Sequence, residues 1–317
     1  MRVRPIYKSY PIYHPSKEPP GYFDWLRERE PEIVFDPSRL KSQADWISAG
    51  KLVFEAPLGY IDTSRHRSLA WYEDSRAPVT REGVMPFLRY FVRKKGVIEV
   101  GTGSCASCHT RVLPDGSVVD GAQGNFPFHL GLQAGRRVGQ QPASRETRLK
   151  TELSMRGAPW LGDNSPAKLL EQLTDTDMEM IVAHPPPGVV ARHGTSYFSP
   201  AQVPDLIGVK DRQCLDHTGL ARHRSIAGLM RYAATNQDTD MLARYIGGFI
   251  PAGTRPEPET LERYSDEQLY ALALYIYSLK PPPNPTSHPS FRGRERRFFS
   301  AKVAPAATRL RFTPTIS

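Results

Sequence analysis

Two cysteines and a histidine form the part of this sequence best suited to chemistry. Cys105, Ala106, Ser107, Cys108 and His109 make a C-x-x-C-H pattern. In such a run two thiols can add across the two vinyl groups of haem, and the adjacent histidine can reach the iron as an axial ligand. The spacing therefore predicts one covalent haem c on Cys105 and Cys108, with His109 as the proximal iron ligand.

Three other interpretations compete: half of a zinc site, a thioredoxin-like redox dithiol, and a chance occurrence. A zinc site needs a second close pair of ligands, but Cys214 is isolated, and His217 and His223 are six residues apart. A redox dithiol should follow a strand and open a helix, whereas a Pro-Asp-Gly turn at 114–116 follows this motif. The sequence therefore favours haem over a zinc site and over a redox dithiol.

The elements that must position the motif are predicted from capping residues and hydrophobic periodicity. Helices are expected at 42–54 after a Ser42 cap, at 166–184, at 225–235, and at 265–279 with a Ser265/Gln268 capping box. Short strands are expected at 97–100 and 117–119, while the pattern from 57 to 96 is mixed. The predicted fold class is mainly α with a few short strands.

Three features, in order, resemble the cytochrome c superfamily. They are a helix carrying Gly50-Lys-Leu-Val-Phe54, the haem motif, and a terminal helix from Asp266 to Leu279. The resemblance implies a cytochrome c-like helical haem domain in which the first and last helices cross beside the haem. Because about 50 residues separate the first helix from the cysteines and about 155 separate His109 from the last helix, the domain must contain large insertions.

A further segment, Val203 to Gly219, resembles the di-haem cytochrome c peroxidase and rubber-oxygenase group. It reads V-P-D-L-I-G-V-K-D-R-Q-C-L-D-H-T-G, and the comparable stretch of that group lies over a haem. The resemblance implies that His217 is the distal iron ligand. Further candidates for the same position are His223, Met230 and Met241.

The sixth iron ligand separates two functions. Cytochromes c usually supply a methionine before the last helix, but here Phe249 stands at that place. A coordinated methionine or histidine suits electron transfer, whereas an open position lets peroxide or dioxygen bind. We expect an electron-transfer haem protein, with a peroxidase- or oxygenase-like oxidoreductase, normally di-haem, as the alternative.

The composition indicates three regions. Residues 1–42 form an extended arm rich in proline and aromatic residues, 43–285 the haem domain, and 286–317 an arginine-rich tail that we expect to be disordered. The di-haem group carries a second C-x-x-C-H after the proline-rich run, and this chain has none. We interpret the tail as a frameshifted remnant of that second haem domain.

The encoding DNA provides a test of the frameshift. When each codon takes the third base of one residue and the first two of the next, residues 297–316 can encode V-F-x-R-E-G-C-A-G-C-H-T-P-P-L-Y-T-N-N. Sequencing the gene is expected to reveal a C-x-x-C-H in that frame. Codons that do not spell the motif would refute the hypothesis.

Charge and hydropathy bear on partners and location. The chain has a formal net charge of +9, so its surface could attract acidic partners or polyanions, but the charges are scattered and no nucleic-acid reader is recognisable. The redox partner is unknown. No apolar run is long enough for a transmembrane segment, and residues 1–22 lack the apolar stretch of a signal peptide. Because c-type haem is attached outside the cytoplasm, we expect a periplasmic or otherwise exported protein whose leader has been lost from this sequence or lies upstream of a misassigned start.

Overall fold

A computed structural model describes ten stretches of the chain. They are residues 2–63, 77–127, 172–174, 176–177, 180, 186–190, 201–216, 219, 221–237 and 262–283. The helices are α1 (Tyr22–Arg27), α2 (Gln43–Glu55), α3 (Cys105–His109), α4 (Ile226–Gln237) and α5 (Asp266–Ser278). The strands are β1 (Arg2–Val3), β2 (Ser9–Tyr13), β3 (Gly59–Asp62), β4 (Val84–Lys94), β5 (Val97–Thr102), β6 (Thr110–Val112), β7 (Val118–Asp120), β8 (Val189–Val190), β9 (Ala201–Gln202) and β10 (Glu262–Arg263).

Met1–Lys280 form one compact unit, whose largest sheet has four antiparallel strands in the order β2-β4-β5-β3. The second unit is Pro281–Ser317, of which only 281–283 are described. One face of the sheet buries a hydrophobic cluster that includes Ile12, Phe87 and Tyr90, together with Leu26 from α1. Strand β2 lies within the predicted N-terminal arm, so part of the arm is an edge strand of this sheet.

The second hydrophobic cluster surrounds the pair of helices α2 and α5. Both helices begin with a capping box: the Ser42 hydroxyl accepts the Asp45 N–H, and the Ser265 hydroxyl accepts the Gln268 N–H, each at 3.2 Å. Such caps satisfy backbone donors that the first turn leaves without partners. The helices cross at Gly50, where an added Cβ would lie 2.0 Å from the Ala271 carbonyl oxygen.

The predicted fold class, mainly α, is wrong. Of the described residues 34% are helical and 24% lie in strands, and the four-stranded sheet is a main part of the core. The sequence pattern misses β4 because this central strand has buried residues on consecutive positions, so its side chains do not alternate between polar and apolar. Pro86 also falls inside β4, and a proline usually argues against a central strand.

Most of the individual helices and strands predicted from the sequence are confirmed. The helices expected at 42–54, 225–235 and 265–279 and the strand expected at 97–100 are confirmed as α2, α4, α5 and β5. The short strand expected at 117–119 is confirmed within β7. The helix expected at 166–184 lies mostly outside the described residues. No helix in the described ranges is long and apolar enough to cross a bilayer.

Candidate functional site

The C-x-x-C-H run forms the single helical turn α3. Ser104 caps it, because the Ser104 hydroxyl accepts the backbone N–H of Ser107 at 3.2 Å. In a helix the positions i, i+3 and i+4 share one face, so Cys105, Cys108 and His109 lie along the same side of the turn. Cys105 is buried, whereas Cys108 and His109 are half-buried.

A β-bulge fixes the opposite face of α3. The register between β2 and β4 shifts after Pro11, which leaves Pro86, Phe87 and Leu88 without paired residues on β2. The Phe87 carbonyl instead accepts the Ser107 hydroxyl at 3.0 Å, and Ser107 is buried. A bulge is a usual way to redirect a strand beside a functional site. The hydrogen bond between Ser107 and Phe87 therefore holds α3 on the side opposite Cys105 and Cys108.

The 121–127 loop packs across the C-terminal end of α3. The N–H of Gly121 donates to the His109 carbonyl at 2.6 Å, and the N–H of Gly124 donates to the Cys108 carbonyl at 2.9 Å. An added Cβ on Gly124 would lie 2.3 Å from the Cys108 oxygen, so no larger residue fits there without displacement. The Asn125 side chain bonds both the N–H and the C=O of Val112, which fastens the loop to β6.

Asp120, the last residue of β7, connects this loop to the crossed helices. Its carboxylate accepts the Tyr275 hydroxyl of α5 at 2.6 Å and lies 3.3 Å from the Lys51 ammonium of α2. The Phe54 and Tyr275 rings pack with their centroids 5.3 Å apart at the same crossing. Burial raises the pKa of Tyr275, and its hydrogen bond to Asp120 raises that pKa further, so the hydroxyl remains a donor.

A buried tyrosine in the same hydrophobic cluster as Cys105 packs against an arginine from the N-terminal arm. Burial raises the pKa of Tyr264, and the Arg4 guanidinium lowers it. The Arg4 guanidinium lies 5.3 Å from the Tyr264 ring centroid and donates to the Pro57 carbonyl at 3.2 Å. The arm therefore packs against Tyr264 and the chain at Pro57.

The candidates for the sixth ligand have different positions. His223 uses both ring nitrogens: Nδ1 lies 2.9 Å from the Arg212 carbonyl oxygen, and Nε2 lies 2.5 Å from the Tyr277 hydroxyl. A carbonyl only accepts, so Nδ1 carries the proton, and in the neutral imidazole Nε2 accepts from the Tyr277 hydroxyl. Met230 packs against the helical cluster. Both ring nitrogens of His223 are thus engaged, whereas Met230 packs against the cluster that contains Cys105.

His217, Met241 and Phe249 lie outside the described residues. The described residues before His217 nevertheless contact the candidate site. The N–H of Leu206 donates to the Gly121 carbonyl at 2.6 Å, so one glycine bonds both this segment and the His109 carbonyl. Farther along, the carboxylate of Asp216 accepts the N–H of Ala221 at 3.0 Å.

The three motif residues fit a covalent haem. All three cysteines are described and none forms a disulfide, and one helical face presents two thiols and an imidazole. Within the described ranges, no group of three or more His, Cys, Asp or Glu side chains is arranged to hold a metal ion. Zinc needs four such ligands, whereas haem iron takes four nitrogens from the porphyrin and needs only an axial ligand from His109.

The structure changes one argument against a redox dithiol. The motif does follow a strand, β5, and Cys105 does begin a helix, although that helix spans only five residues. The predicted turn at 114–116 is present, between β6 and β7. Thus the short helix, rather than the absence of a preceding strand, separates this motif from a thioredoxin-like arrangement.

Comparisons with known proteins give no family. No family model matches the chain, and neither a curated protein nor a solved structure matches it.

Three residues that contribute to the site were not predicted from the sequence: Ser107, Asp120 and Tyr275. Their contacts join segments 20 and 155 positions apart, and no local pattern signals such pairs.

Proposed function

We propose that the chain is an exported electron-transfer protein that carries one covalent haem c. Cys105 and Cys108 would each form a thioether, in which the thiol sulfur bonds one vinyl carbon and the thiol hydrogen goes to the other. His109 would bind the iron from the proximal side. The observation that carries the proposal is the single turn that presents all three groups on one face.

Within this proposal the protein's own residues attach, orient and enclose the cofactor. Ser104 and Ser107 hold the turn, and residues 121–127 fix the backbone at its C-terminal end. When bound, haem supplies an iron that cycles between ferrous and ferric states. The crossed helices and Tyr264 form an apolar wall beside Cys105, which limits access of water to the attachment site.

His217 is our proposed distal ligand, and the resemblance of its segment to the di-haem group supports it. One observation favours the second function, a peroxidase- or oxygenase-like oxidoreductase. His223, one of the described alternatives to His217, already has both ring nitrogens in other hydrogen bonds. If neither His217 nor another side chain coordinates, the distal side is open to a small oxidant.

The test is to express the full chain with an export signal and the haem-attachment machinery. We expect a haem-stained band on a denaturing gel and a low-spin absorption spectrum in both redox states. A high-spin spectrum that changes with peroxide would favour the enzyme. The absence of covalent haem would overturn the proposal, and thiol titration would then test the redox dithiol.

A further inference from the structure

We infer that Asp120 is a positioning residue for the proximal histidine, fixed by Tyr275 and acting through Gly121. The inference rests on the proposed function, because it concerns how His109 is held toward the iron. Asp120 pairs in the β6–β7 hairpin with Thr110, the residue after the motif. It accepts the Tyr275 hydroxyl at 2.6 Å, and its neighbour Gly121 donates to the His109 carbonyl at 2.6 Å.

The contact between Asp120 and Tyr275 determines where the 121–127 loop begins. Tyr275 is buried in α5, and α5 is held by α2, so its hydroxyl is a fixed point. Hydrogen bonds to a charged acceptor are roughly twice as strong as neutral ones. The Lys51 ammonium, 3.3 Å from the same carboxylate oxygen, adds a contact from α2. Asp120 is therefore anchored to both helices of the crossing.

Gly121 transmits this anchoring because its own conformation is restricted. Its φ is +81°, a region that favours glycine, and an added Cβ would lie 2.4 Å from Leu279 Cδ1. Its N–H bonds the His109 carbonyl, and its carbonyl accepts the Leu206 N–H, also at 2.6 Å. Asp120 thus fixes the position of Gly121, and Gly121 in turn bonds the backbone carbonyl of His109.

The test compares Tyr275→Phe with Tyr270→Phe in the full haem-loaded chain. Tyr275→Phe removes the hydroxyl that donates to Asp120, whereas Tyr270 lies on the same helix, is 38% exposed and packs against Trp46. The readout is the set of paramagnetically shifted haem-methyl NMR resonances of the ferric protein, which depend on the orientation of the axial imidazole. Denaturant unfolding of each variant measures its stability.

We expect Tyr275→Phe to change the spread of the methyl shifts and Tyr270→Phe to leave it unchanged. A purely structural role of Tyr275 would lower the unfolding midpoint without moving the methyl shifts, and that result overturns the inference. If Tyr275→Phe does not fold, Asp120→Asn serves as the second variant. It keeps an oxygen acceptor but loses the charge, so a smaller change is expected, and unchanged shifts overturn the inference.

Failure of the proposed function gives a different result. If wild-type protein carries no covalent haem, no shifted methyl resonances exist in any variant, and both proposals are refuted. If wild type carries haem but Tyr275→Phe has wild-type shifts, only the role of Asp120 is refuted.

Discussion

Replacing both Cys105 and Cys108 with serine is expected to abolish covalent haem attachment completely. A serine hydroxyl does not add to a haem vinyl group, so neither thioether can form. The haem-stained band should disappear from the denaturing gel, and the intact mass should be that of the polypeptide alone. Each single replacement should keep one thioether. Its pyridine haemochrome band should move to longer wavelength, because one vinyl group stays unsaturated.

Cys214→Ser is the matched control for these variants. Cys214 lies outside the C-x-x-C-H run, is half-buried, and its sulfur lies 4.0 Å from the Gly219 carbonyl oxygen. The control should therefore carry as much covalent haem as wild type. If it loses the haem as fully as the double variant, attachment depends on general folding rather than on the cysteine pair. Retention of covalent haem by the double variant would refute the proposed attachment.

The parts of the fold that could be predicted are those with local signals. Helices α2 and α5 each begin with a serine whose capping partner lies three residues later, and proline follows the end of both. Such signals depend on neighbours along the chain and need no knowledge of tertiary packing. Even the crossing of these helices could be expected, from the resemblance of both segments to cytochrome c.

The sheet could not be predicted in the same way. Strand β4 is central and borders both β2 and β5, and its buried residues fall next to one another. Periodicity cannot separate such a strand from a buried helix segment. The bulge at Pro86 could not be predicted from β4 alone, because a bulge depends on the register of two paired strands, here β2 and β4.

The candidate site also has a part that the sequence predicts and a part that it does not. The C-x-x-C-H spacing identifies the residues that would hold haem, because the chemistry needs those groups within one helical turn. The residues that orient them come from distant segments: Phe87 lies on a strand before the motif, and Tyr275 lies on the last helix. A single sequence does not reveal which tyrosine of α5 faces Asp120, since Tyr270, Tyr275 and Tyr277 all follow from the same helical pattern.

Gly50→Ala is expected to destabilise the fold by about 2 to 3 kcal/mol, the usual cost of overpacking a close contact. The added Cβ would lie 2.0 Å from the Ala271 carbonyl oxygen and 2.7 Å from Tyr275 Cβ. Since the nearest atom is backbone, a rotamer change cannot relieve the overlap and α5 must move. This cost should exceed the gain of about 1 kcal/mol that alanine brings over glycine inside a helix. The denaturant unfolding midpoint measures the difference.

Gly228→Ala separates crowding from helix propensity, because it makes the same change inside α4. There the nearest atom to an added Cβ is the Arg222 carbonyl oxygen at 3.2 Å, so only a small adjustment is needed. We expect this variant to stay within about 1 kcal/mol of wild type, since the gain in propensity offsets the tighter contact. Equal unfolding midpoints for the two variants would contradict the close crossing at Gly50. A lower midpoint for Gly50→Ala alone would show that α5, which carries Tyr275 to Asp120, depends on a glycine in α2.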